Sequence, residues 1–113
     1  WDCGYYEGRS SSEIRAARPG WNIFRDGCPH GETPEQIAER ADRLSEYLMT
    51  LGGTIALFTH GEFGTAFAVR WIGLPVLAAQ HFAIATASIG VLTVNPAVPD
   101  LRVISSWNTV TSR

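Results

Sequence analysis

The sequence predicts an α/β layered fold. Three observations carry that expectation: a capped amphipathic helix beginning at Thr33, a short apolar run at Thr54–Thr59 followed at once by a second helical segment, and two β-rich runs near the C-terminus. Helix, buried strand, helix, then strands is the order in which helices come to cover a sheet. The 113 residues are 45% hydrophobic and 18% charged, which suits one core and leaves no room for a second domain.

Trp1–Gly8 is aromatic and glycine-rich without a clear period, and reads as a loop or short turn. Ser10–Ser12 offer N-caps for a short helix, Glu13–Ala17, which Pro19-Gly20 ends. Trp21–Pro29 is irregular, with a turn at Asp26-Gly27. Thr33 then caps the clearest element, with Pro34 at its first helical position and Gln36 completing a capping box. Ile37, Ala41, Leu44, Leu48 and Leu51 line one face of that helix, and Asp42, Arg43 and Glu46 the wet side, until Gly52-Gly53 stop it. Thr54–Thr59 reads as a buried strand, because it is short and apolar throughout. Glu62–Leu74 is apolar nearly all round and predicts a buried helix ending at Leu74-Pro75. Val76–His81 suits a helical turn. Thr86–Val94 and Leu101–Trp107 suit a hairpin across the polar link Asn95–Asp100.

Composition excludes several classes. Nine basic and eleven acidic residues leave a formal charge of −2, with no basic stripe for a nucleic acid. All nine basic residues are arginines, which reads as coding bias, although arginine suits phosphate contacts. The most apolar tract, Phe67–Val94, is broken by Arg70, Pro75, Gln80 and His81, and its clean part is too short for ~30 Å of hydrocarbon. Neither a membrane nor a nucleic acid is therefore an expected partner. Cys3 and Cys28 are too few for a disulfide scaffold, and no apolar signal region opens the chain, so a cytoplasmic setting is expected.

The sharpest local feature is Phe58-Thr59-His60-Gly61-Glu62-Phe63, where a strand ends, a glycine follows and a helix begins. Ligands of open α/β sheets sit beyond the carboxyl ends of strands, and free N–H groups at a helix start favour an anion. His60 can donate a hydrogen bond or a proton near neutral pH. Taken alone, the pair His60-Gly61 is read more readily as a strand-end histidine bonded to backbone. Glu62 reads most simply as a carboxylate favouring the helix dipole. His81 reads as a structural histidine. Cys28 and His30 do not make a zinc site, and no metal or cofactor is expected.

Trp1-Asp2-Cys3-Gly4-Tyr5-Tyr6-Glu7-Gly8 resembles a block of the histidine phosphatase superfamily, also called phosphoglycerate mutase-like. Trp21–Cys28, Gly31-Glu32-Thr33, Phe58–Gly61, Arg70–Leu74 and Trp107-Asn108 continue the likeness in order. The Trp21–Cys28 block is most similar to the branch of acid-phosphatase-like and sedoheptulose-bisphosphatase-like proteins. The resemblance implies a three-layer α/β/α sandwich, its sheet mostly parallel with an antiparallel edge. It also implies metal-free hydrolysis of a small phosphomonoester, such as a sugar phosphate, through a phosphohistidine. His60 matches the family's second histidine, which stabilises the phosphate, and the Gly61 and Glu62 amides would lie beside that phosphate. Asp2, Cys3 and His30 are candidates to line the cleft. Thr65 and Cys3 stand where relatives often carry Arg and Tyr, which puts a bisphosphate substrate in question.

The family's attacking histidine lies in an Arg-His-Gly motif after a first strand, and its acid is a Glu just before the Trp-Asp block. Neither lies within this sequence. His30-Gly31-Glu32-Thr33 mimics the motif, yet Pro29 replaces the Arg and no apolar strand precedes it. Residues 1–113 are thus expected to be the C-terminal portion of one histidine phosphatase domain, partnered by its N-terminal half or by a second copy. The alternatives are a non-catalytic binding protein or inactive fragment on this fold, and mutase-type phosphoryl transfer. The 113-residue chain alone is expected to turn over no phosphoester and, with an apolar strand edge uncovered, to associate. A phosphatase assay paired with light scattering at high concentration checks this, and robust turnover or a clean monomer would contradict it.

Overall fold

In a computed structural model describing residues 1–110, the first helix, α1, spans Ser11–Ala17, and the Ser10 hydroxyl accepts from the Glu13 N–H at 3.2 Å. It begins two residues before the expected start, because the cap is Ser10 and not the serines after it. A 3-10 turn, Gly4–Tyr6, precedes it. The stretch expected to be irregular contains one helical turn, α2 (Ile23–Asp26). Its cause is local: the Asn22 side chain accepts from the Phe24 N–H, and the Asp26 carboxylate accepts from the Asn22 N–H, both at 2.9 Å.

Helix α3 (Pro34–Leu51) starts with the full capping box. The Gln36 N–H donates to the Thr33 hydroxyl at 3.1 Å and the Thr33 N–H to the Gln36 side chain at 2.9 Å, so two N–H groups without intrahelical partners are satisfied reciprocally. Ile37 and Ala41 are fully buried on its apolar face, Leu44 and Leu48 half-buried. Leu51, expected on that core face, is exposed at the helix end. Helix α4 (Gly61–Trp71) packs against α3, bringing Phe63, Ala66, Phe67 and Trp71 onto Ile37 and Ala41. Arg70 of α4 grips Asp42 of α3 through two parallel bonds, Nε to Oδ1 at 2.9 Å and a terminal nitrogen to Oδ2 at 2.7 Å. The helix ends three residues before Leu74, and a 3-10 stretch, Val76–His81, follows where a helical turn was expected.

Strands β1 (Ser88–Val94) and β2 (Arg102–Val110) form an antiparallel hairpin, pairing Leu92 with Ile104 and Val94 with Arg102, with irregular register around Val91. Its link closes through the Asn95 N–H on the Leu101 carbonyl at 2.7 Å. Trp71 fastens the hairpin to α4. Its indole N–H donates to the Thr93 carbonyl at 3.1 Å, and the Arg102 guanidinium lies 4.5 Å from its ring centroid. A second small cluster, Ile14, Trp21 and Cys28, packs with Cys3, Tyr6 and Ile23.

The buried strand expected at Thr54–Thr59 is not formed. Residues 51–60 are all exposed, Phe58 at 96%, and the run has no ladder partner among the described residues. An apolar run becomes a strand only when a neighbour supplies hydrogen bonds and a layer covers its faces. The described residues therefore show helices and a small antiparallel sheet of two strands. No helix among them is long and apolar enough to cross a membrane.

Asp26 gives a pH prediction. The Arg25 guanidinium, and then the Asn22 N–H, hold its carboxyl down at about 2. A depressed folded-state value contributes stability above the ordinary carboxylate range, which is lost as pH falls through about 2. Asp26→Asn should lower the melting temperature near neutral pH, and the gap from the unaltered chain should close as pH approaches about 2, followed by circular dichroism.

Candidate functional site

His60 is the N-cap of α4, in extended backbone conformation (φ −79°, ψ 156°). Its ring is exposed and makes no capping hydrogen bond. The first backbone bond of the helix runs from the Gly64 N–H to the His60 carbonyl at 2.8 Å. The N–H groups of Gly61, Glu62 and Phe63 precede it, have no intrahelical acceptor and face outward from the helix start. The buried Thr65 hydroxyl donates to the Gly61 carbonyl at 2.8 Å and tightens this first turn. Gly61 also permits a close approach: a Cβ there would come within 3.3 Å of the Ile84 side chain.

His60, Gly61 and Glu62 line an open hollow of about 1330 Å³. Arg40 of α3 borders it, Phe67 and Trp71 contribute apolar surface, and Trp107 and Asn108 of β2 line it as well. That β2 part is fixed by two bonds: the Trp107 indole donates to the Ala83 carbonyl, and the Asn108 side chain accepts from the Ala85 N–H, both at 2.7 Å. An imidazole beside unpaired amides at a helix start can hold an anion and pass a proton to or from it. Among the described residues no group of three or more His, Cys, Asp or Glu side chains gathers to hold a metal ion.

Asp2, Cys3 and His30 belong to the first block and to the loop before α3. Asp2 and His30 line a second hollow of about 490 Å³ with Glu32, Gln36, Glu39 and Arg43, not the His60 hollow. The Asp2 carboxylate accepts from the Gly4 N–H at 3.0 Å, so it stitches its own loop. The exposed His30 stacks on Tyr5, ring centroids 4.2 Å apart. Cys3 packs into the Trp21–Cys28 cluster. Burial, reinforced by Cys3, pushes the Cys28 thiol up to about 12, and burial raises Cys3 as well, so neither is an activated nucleophile. His81 is exposed beside Gln80.

Glu32 and Arg40, neither of them a candidate from the sequence, also contact these parts: Glu32 accepts from the Asp2 N–H and from Arg40, and Arg40 lies over the Phe63 ring of α4. Gly31-Glu32-Thr33 carries part of the family likeness, so the signal was present, but its partners across 30 residues could not be read locally.

Residues 1–108 match the family model described as histidine phosphatase superfamily (branch 1). An acid phosphatase of Mycobacterium tuberculosis is 38% identical over 106 residues, covering 92% of this chain and 52% of its own. A sedoheptulose 1,7-bisphosphatase of Saccharomyces cerevisiae is 36% identical over 93 residues, covering 67% of this chain and 34% of its own. The solved structure of the open reading frame Rv3214 from Mycobacterium tuberculosis superposes with a TM-score of 0.87 at 32% identity, over 96% of this chain and 56% of that one. The chain thus spans about half the length of the acid phosphatase and of the solved structure, and about a third of the bisphosphatase.

The seam between the first block and the Pro29–Glu32 loop leaves no room for side chains. A Cβ at Gly31 would overlap the Asp2 carbonyl oxygen, and one at Gly4 the Pro29 carbonyl oxygen. Gly31→Ala should therefore destabilise the chain by about 2 kcal/mol, measured as a fall in the urea midpoint.

Proposed function

Because the chain belongs to the histidine phosphatase superfamily (branch 1), we propose that it contributes the phosphate-stabilising half of a metal-independent phosphomonoesterase acting on a small phosphorylated metabolite. The observation that carries this reading is the exposed His60 ring at the start of α4, beside the free amides of Gly61, Glu62 and Phe63. The names of the two relatives, an acid phosphatase and a sedoheptulose bisphosphatase, support hydrolysis and favour a sugar phosphate.

In the proposed reaction a histidine from a segment outside these 113 residues attacks phosphorus. A P–N bond forms as the P–O bond to the leaving group breaks, and a carboxylic acid protonates the departing oxygen. Water then cleaves the P–N bond and releases inorganic phosphate. His60 and the α4 amides stabilise the phosphoryl oxygens in both steps, and Glu62 acts through its backbone N–H, its carboxylate remaining in solvent. This division of labour is consistent with a chain spanning about half of its relatives. On this reading the exposed run with Ile55, Leu57 and Phe58 becomes an interior strand of a three-layer sandwich once a neighbouring strand covers it. A cytoplasmic setting fits a small-metabolite substrate and two free cysteines.

The test is the intact gene product assayed against a panel of phosphoesters without added metal. Turnover is expected, and His60→Ala should lower kcat about 100-fold or more. Absence of turnover across the panel, or full activity of His60→Ala, would overturn the reading.

A further inference from the structure

We propose that Glu32 and Arg40 are positioning residues that lock the Trp1–Gly4 block against the start of α4, and so set the geometry of the His60 site. The inference rests on the function proposed above for its kinetic consequence, though the coupling itself stands on contacts alone.

Glu32 holds the first block by three bonds. Its Oε1 accepts from the Asp2 N–H at 2.8 Å, its own N–H donates to the Asp2 carbonyl at 2.8 Å, and its carbonyl accepts from the Trp1 indole at 3.1 Å. The same Oε1 accepts from an Arg40 terminal nitrogen at 3.1 Å. One carboxylate oxygen is therefore shared between the first block and a cation of α3. Arg40 in turn places its central carbon over the Phe63 ring, 4.4 Å from the centroid. Phe63 is buried and is the third residue of α4, carrying one of the three free amides beside His60. The path thus runs from Asp2 through Glu32 and Arg40 to the amides of the anion site, through charge-assisted bonds and a cation–π contact.

Arginine is suited to this path and lysine is not. A planar guanidinium can meet a carboxylate at its edge and an aromatic ring with its face at once, whereas an ammonium is a point charge without a face. Arg40 also borders the His60 hollow itself, so a change in its pose alters the wall of the site.

The test uses the intact gene product with Glu32→Gln and Arg40→Lys, read by amide NMR and by kinetics. Coupling predicts that both variants displace the signals of Asp2 and the Trp1 indole together with those of Gly61, Glu62 and Phe63. It further predicts a fall in kcat of about tenfold with KM within about twofold, since misplacement of catalytic groups lowers rate more than binding. Displacements confined to residues near 32 and 40 overturn the coupling, whether or not the protein is a phosphatase. Displaced α4 amides with unchanged kcat overturn the positioning role. An unaltered protein that turns over no phosphoester overturns the proposed function instead, and the NMR comparison still decides the coupling. Should Glu32→Gln fail to fold, Arg40→Lys alone is decisive, because it keeps the charge while replacing the guanidinium that meets both Glu32 and Phe63.

Discussion

The contact between α3 and α4 is the constraint on which the rest of the molecule hangs. Ile37 and Ala41 of one helix meet Phe63, Ala66 and Phe67 of the other with almost no exposed surface. Burial of this kind is non-directional, so it brings the helices together without choosing their register. The register comes from polar bonds at two places along the pair. Arg70 and Asp42 meet in a two-bond grip towards the α4 C-terminus, and Arg40 lies on Phe63 at its N-terminus. Between them they fix how far α4 slides along α3, and therefore where His60 stands.

Other parts of the fold attach to that pair. The hairpin is bound through Trp71, whose ring is gripped on one face by Arg102 and whose N–H is satisfied by Thr93. The first block is bound through Glu32. Three carboxylates, those of Asp2, Glu7 and Glu32, each accept from a backbone N–H within residues 1–8. Such bonds from ionised acceptors to backbone donors are stronger than neutral ones. They allow a segment with little regular secondary structure to hold one shape.

On the proposed reading, much of the anion binding falls to backbone. The groups that converge near His60 are amides of a helix start, which cost no side-chain entropy to hold in place and cannot be titrated away. That arrangement makes the site sensitive to the position of α4 as a whole, as well as to the His60 ring that caps it. It also explains why Thr65 and Gly61, neither of them charged, matter to it: one tightens the first turn, the other lets residue 84 approach.

Local signals determined much of this by themselves. Thr33, Pro34 and Gln36 specify the α3 start, Ser10–Ser12 locate the α1 start to within two residues, and two β-rich runs across the polar link Asn95–Asp100 mark the hairpin, because each depends on partners within a few positions. The His60-Gly61 pair at a helix start was legible for the same reason. Tertiary structure alone decided the rest. Whether Thr54–Thr59 forms a strand depends on a neighbour to pair with, which local hydrophobicity cannot report. Leu51 fell outside the core because periodicity shows which face is apolar but not how far the facing helix extends. The placing of Asp2 and His30 in one hollow and His60 in another, and the contacts of Glu32 with Asp2 and of Arg40 with Phe63, join residues 30 and 23 positions apart, which no local spacing encodes.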